Sequence, residues 1–134
     1  MSRSGYSDYI EQWVLIRWRG AVRSAIRGKR GQVFLRDVLG ALDGMPEKRL
    51  IASELESEGE VCTLGAVGKQ RGLDMLELDP CDHEAVAQVF GIAHALACEI
   101  MYENDEGGWS ETPEQRWTRM RAWIVANLKQ PDHG

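Results

Sequence analysis

Val86, Val89, Phe90, Ala93, Leu96, Ala97, Ile100 and Met101 follow one another by steps of three, one, three, three, one, three and one. That is the period of an α-helix with a broad core-facing stripe, and it leaves little room for a sheet protein. Asp79 followed by Pro80 has the chemistry of an N-cap and a first helical position. The spacing therefore predicts one long central helix from about Asp79 to Glu103. Ile10, Trp13, Val14, Trp18, Ala21, Val22 and Ala25 repeat the pattern and predict a helix from about Ser7 to Arg27. Gly28 and Gly31 break the chain around Lys29 and Arg30. Phe34, Leu35, Val38, Leu39 and Leu42 then mark a further amphipathic helix that stops near Gly44.

Pro46 suits the first turn of another helix, with Leu50, Ile51 and Leu55 inward, and "ESEGE" interrupts it. Residues 50–67 also admit a β-hairpin turning at Gly59, and the helical alternative is preferred. Gly65, Ala66 and Gly68 permit close helix contact, and Gly72 is placed to stop a helix. Thr112-Pro113-Glu114-Gln115 forms a capping box, and Trp117, Met120, Ile124 and Leu128 carry the last helix. The expectation is an all-α fold, a single compact bundle of five or six helices. The 134 residues form one domain, with residues 1–6 and 130–134 as flexible tails. A chain of this length buries about two-thirds of the surface it exposes when unfolded, enough for one core.

Charge is distributed unevenly. Residues 1–50 hold ten Lys/Arg and five Asp/Glu, residues 51–112 hold two and fourteen, and residues 113–134 hold four and two, for a net charge of -5. Such a polarised molecule can pair head to tail with a copy of itself as a homodimer, or offer opposite faces to different partners; basic helices packed beside acidic ones explain it more simply. The five Trp exceed ordinary usage and are read first as core residues. Cys62, Cys81 and Cys98 follow no secretion signal, which fits a reduced compartment. No apolar run is long enough to span a bilayer, so a cytoplasmic location and no membrane partner are expected.

Most site chemistry fails on spacing. Thr63 stands where a phosphate-binding loop ending at Gly68-Lys69 needs Gly, and Gln70 replaces its Ser/Thr. His94 and Cys98 lie one helical turn apart, but on a continuous helix Cys81 and His83 are two or three turns away, so no metal site is expected. The same His94–Cys98 pair lacks a third orienting group for nucleophilic catalysis. Glu99 and Glu103, also one turn apart, read as a solvated pair before an acid/base pair. The expectation is a protein that is not an enzyme and needs no cofactor.

Two surfaces remain. Between residues 17 and 37 stand seven basic side chains and one acid, Asp37. On a helical wheel Arg19, Arg23 and Arg27 lie opposite the apolar stripe, and Lys29 and Arg30 extend that basic face into the bend, a geometry suited to phosphate contacts. The simpler reading is a solvated helix face. Glu103, Asp105, Glu106 and Glu111 surround Gly107, Gly108 and Trp109, an acidic loop with one large aromatic that suits a basic protein partner; the simpler alternative is a connector with Trp109 folded onto the core. Arg17 falls within the apolar stripe, so its guanidinium needs a partner, with Asp37 of the next helix the candidate and a subunit interface the alternative.

"GKRGQVFLRD", "MPEKRLI", "GEVCTLGAVGKQRGLD", "VAQVFGIAHALACEIMYENDEG" and "ETPEQRW" resemble a family of small uncharacterised proteins carried by tailed phages and prophages of proteobacteria. The resemblance spans roughly Arg19 to Trp123 and transfers no activity. It implies a phage or prophage product acting inside a bacterial host. By analogy with small phage proteins that lack catalytic motifs, it implies binding to a host protein or complex, including inhibition of a defence system of the anti-CRISPR type. The alternative is a nucleic-acid-binding accessory protein that uses the basic first helix and the bend after it.

Overall fold

The fold was taken from a computed structural model, which describes residues 12–108 and 110–129, with side chains from Ile16 onward. The expectations for Ile10, Trp13, Val14 and Trp109 as packed side chains, and for the tails, lie outside this description. The described residues form six helices and one small hairpin, in the order α1 (Gln12–Arg27), α2 (Lys29–Asp43), β1 (Glu56–Ser57), β2 (Glu60–Val61), α3 (Thr63–Gln70), α4 (His83–Phe90), α5 (His94–Asp105) and α6 (Pro113–Asn127). The all-α bundle expected from the periodicity is the fold.

α2 is the scaffold. Phe34, Leu35, Val38, Ala41 and Leu42 are buried along one side, and each such aliphatic or aromatic side chain contributes about 1.5–3 kcal/mol on leaving water. That stripe packs on α3 and α6, while α1 lies across α2 and α5. α6 starts with the reciprocal cap its sequence encodes: Thr112 Oγ1 accepts from Gln115 N at 3.1 Å, and Gln115 Oε1 accepts from Thr112 N at 2.9 Å. Trp18, Trp117 and Trp123 are partly buried, and Trp117 donates its indole N–H to the Leu42 carbonyl at 3.2 Å.

Only Gly28 separates α1 from α2; Gly31, expected as a second breaker, lies inside α2. It is there because the helices touch. A Cβ at Gly31 would run into the carbonyl oxygen of Ala25, so the corner needs a residue without one. Gly31→Ala should lower stability by about 1–3 kcal/mol through overpacking, read as a shift of the urea midpoint at constant slope. An unshifted midpoint would mean that the corner relaxes freely.

Residues 45–55 are not helical, which corrects the helix expected after Pro46. The chain instead runs irregularly, with bends and a positive φ at Ser53, into a hairpin with Glu56 opposite Val61 and Ser57 opposite Glu60. Its two-residue loop, Glu58-Gly59, has φ of 52° and 82°, the left-handed pair that a tight hairpin turn requires. Glu54, Glu56, Glu58 and Glu60 alternate along it. In a helix, two pairs of these carboxylates would repel one another at i, i+4; in extended chain they do not stack.

The long helix expected over 79–103 is two helices, α4 and α5, bent by 105°. Gly91 adopts the left-handed conformation (φ 69°, ψ 35°), its N–H returns to the last turn of α4, and Ile92 N–H bonds to the Ala87 carbonyl at 3.0 Å. That is a Schellman stop, with Ile92 buried behind it. α4 is opened by Asp82, whose side chain accepts from Ala85 N at 3.2 Å. Asp79, expected as the cap, instead accepts from Cys81 N in the preceding turn. Most of the predicted stripe is buried in one or other of the two helices, but Val89 is exposed. No single described helix is long and apolar enough to cross a membrane.

Candidate functional site

The acidic residues near the end of α5 are drawn inward. Glu111 is almost buried, its carboxylate gripped by both sides of the Arg119 guanidinium at 2.6 and 2.9 Å and paired with Arg116 at 3.2 Å. The hydrogen bond from Arg119 holds its carboxyl below the usual range. Arg119 also donates to the carbonyls of Glu103 (2.6 Å) and Asn104 (3.1 Å). Asp105 accepts from Ser53 N at 3.0 Å and from the Asn104 amide at 3.0 Å. Burial, with Glu99 beside it, raises the Glu103 carboxyl, and the exposed Glu106 is hydrogen-bonded to Tyr102 and raises its phenol. Of the four carboxylates, Glu111 is thus tied to α6 and Asp105 to the segment before the hairpin, while Glu106 stays exposed; Trp109 lies outside the described residues.

Sequence reasoning missed the residue at the centre of this network. Asn104 is fully buried; its Oδ1 accepts from Thr63 N and Oγ1 at 3.0 and 2.7 Å, and its amide donates to the Ile51 carbonyl at 2.9 Å. A polar residue in "CEIMYEND" gives no periodic signal distinguishing it from the wet residues around it.

The basic residues have the opposite arrangement. Arg19, Arg23 and Arg27 on α1, and Lys29 and Arg30 at the start of α2, are all exposed, and among the described residues none pairs with an acid. Lys29 and Arg30 occupy the first turn of α2, whose cap Gly28 offers no side chain and whose first turn has no acid. Cations at a helix N-terminus oppose its dipole, so this end, without a side-chain cap among the described residues, carries an excess of positive charge. Arg17 is also exposed, not buried in the stripe as expected. Asp37, its expected partner, pairs with Arg71 at 3.4 Å, while Arg71 also donates to the Phe90 carbonyl at 3.2 Å and lies over the Phe34 ring. The α1 stripe is in fact carried by Trp18, Val22, Ala25 and Ile26; Ala21 faces water.

The bend at Gly91 overturns the spacing argument against His83. It returns the start of α4 to the start of α5, and the ligand atoms of His83, His94 and Cys98 come within 4.8 Å of one another. The imidazoles stack at 5.9 Å with planes 25° apart, and Trp18 meets His94 edge-on at 5.7 Å. Burial, then the neighbouring His94, lowers His83, and burial pushes the Cys98 thiol up to about 11. A thiol so held is protonated at neutral pH and is not an activated nucleophile. No family model, curated protein or solved structure matches the chain.

Proposed function

We propose that this chain is a non-catalytic interaction protein, a phage or prophage product that binds a bacterial host complex, with inhibition of a defence system of the anti-CRISPR type as the leading form. One observation carries the choice of surface: Arg19, Arg23, Arg27, Lys29 and Arg30 are exposed and without acidic partners among the described residues, whereas Glu111 and Asp105 of the acidic loop are engaged by Arg116, Arg119, Asn104 and Ser53. The basic face therefore does the binding, and its partner is anionic. The phage context rests on sequence resemblance alone, and the buried, protonated Cys98 supports the non-catalytic reading.

A second reading, direct binding of nucleic acid, is favoured by the N-terminus of α2. A helix N-terminus without a side-chain cap among the described residues, flanked by cations, is an arrangement suited to a phosphate. One experiment separates the two. The protein is used to capture partners from bacterial lysate, with and without nuclease treatment, beside a variant in which all five cations are replaced by Gln. Capture of a host protein complex that survives nuclease and fails with the variant supports the leading reading. Capture lost on nuclease treatment transfers support to nucleic acid. In that case duplex affinity should fall with salt at a log–log slope of about -4.5 for five phosphate contacts. Equal capture by the five-cation variant would remove the basic face from either reading.

A further inference from the structure

We propose that His83, His94 and Cys98 form a binding site for one borderline-soft divalent transition-metal ion, zinc in the first instance. The set is assembled by the fold: His83 opens α4, His94 opens α5, Cys98 sits one turn further along α5, and the Schellman stop at Gly91 folds the first onto the other two. Around a tetrahedral zinc, nitrogen and sulfur ligands stand about 3.3–3.8 Å from one another. The ligand atoms, all within 4.8 Å of one another, thus need to draw in by about 1–1.5 Å to reach that geometry.

Several independent features favour a ligand there. His83 Nε2 is buried and has no hydrogen-bond partner among the described residues, a costly state that coordination would relieve. Cys98 is 1% exposed and fixed by the core, so its sulfur is already positioned, while the exposed His94 provides a route in from solvent. Trp18 walls one side of the His94 ring. Asp79 and Asp82 lie close enough to act electrostatically on His83 and so draw a cation to the opening.

Two imidazoles and a thiolate suit zinc and its neighbours and exclude magnesium and calcium, which take oxygen ligands. Binding converts the Cys98 thiol to the thiolate and releases one proton to solvent, and the fourth position is left to water. The ion would tie α4 to α5 across the bend. This site is independent of the basic face and of the partner proposed for it.

The test is a cobalt(II) titration of the reduced, chelator-treated full chain. The expected result is a thiolate-to-cobalt charge-transfer band and tetrahedral d–d bands that saturate at one ion per chain and vanish when zinc(II) is added. His94→Ala, at an exposed position, should keep the helical circular dichroism and weaken binding by more than about 100-fold, above the cost of losing an outer-shell partner. Cys98→Ser should abolish the charge-transfer band, and Cys81→Ser should leave it intact. Absence of the band at saturating cobalt, equal affinity in His94→Ala, or loss of the band in Cys81→Ser would each overturn the assignment.

Discussion

Phe90→Ala should lower the unfolding free energy by about 3–5 kcal/mol, while Val89→Ala, one residue away, should change it by less than about 0.5 kcal/mol. Phe90 closes α4 with its ring 2% exposed, meeting the Phe34 ring of α2 edge-on at a centroid distance of 6.2 Å and an angle of 73°. Truncation removes the transfer free energy of the ring and opens a cavity bounded by α2, whose position is fixed by α3 and α6, so collapse is restricted. Val89 is 44% exposed and leaves no cavity. Urea unfolding of the two variants reads the difference directly. Similar midpoints would mean that the face of α4 turned toward α2 is not the one described.

Glu111→Ala should cost about 3–5 kcal/mol, the range for removing one member of a buried ion pair. The Arg116 side chain is only 9% exposed and the Arg119 side chain 31%, so both guanidinium groups would lose their charge partner where water compensates poorly. Their bonds to the Leu50, Glu103 and Asn104 carbonyls would then hold uncompensated charge. The effect has a pH signature. Because the folded state depresses the Glu111 carboxyl, its contribution is complete above the ordinary glutamate value and is lost as pH falls through the lower, folded one. Glu103 has the opposite sign. Its carboxyl is raised by burial and by Glu99, so its contribution is present below the ordinary value and lost as pH rises through the raised one. Acidification from neutrality should therefore first gain a little from Glu103 and then lose the Glu111 contribution. In Glu111→Gln the second, acidic limb should flatten; an unchanged profile would refute the role assigned to the pair.

Helix faces were legible wherever apolar spacing and capping chemistry agreed, as in α2, where Gly44 stops the stripe begun by Phe34, and in α6, where Thr112 and Gln115 close their box. They were misread where a local stop fell inside a continuing period. The apolar spacing continues across Gly91, so periodicity alone reads through the stop between α4 and α5, and only the glycine itself marks the turn. The alternation of Glu54, Glu56, Glu58 and Glu60 was a period-two pattern masked by the more familiar helix start at Pro46. The histidine–cysteine cluster was set aside on spacing for the same reason as the bend was missed, since contact between His83 and His94 exists only once the helix is broken. Exposure of the basic face followed from the wheel. The internal pairing of Glu111 did not, because Arg116 and Arg119 become its neighbours only through the loop that precedes α6.

The irregular segment before the hairpin has a consequence for how the protein is made. Leu50 N–H bonds to the Pro113 carbonyl, the Leu50 carbonyl accepts from Arg116, the Ile51 carbonyl from Asn104, and Ser53 N–H reaches Asp105. Every one of those partners is synthesised some fifty to sixty-six residues later. At a synthesis rate of about 5–20 residues per second the segment waits roughly 3–13 s for them. During that interval α1 and α2 can close at their corner and Ile51 N–H can find the Val61 carbonyl, but the groups that bond to α5 and to the start of α6 have only water. The segment is therefore among the last parts of the chain to settle on the ribosome, and a growing polypeptide halted before α6 should expose residues 45–55 to protease while its first two helices are already protected.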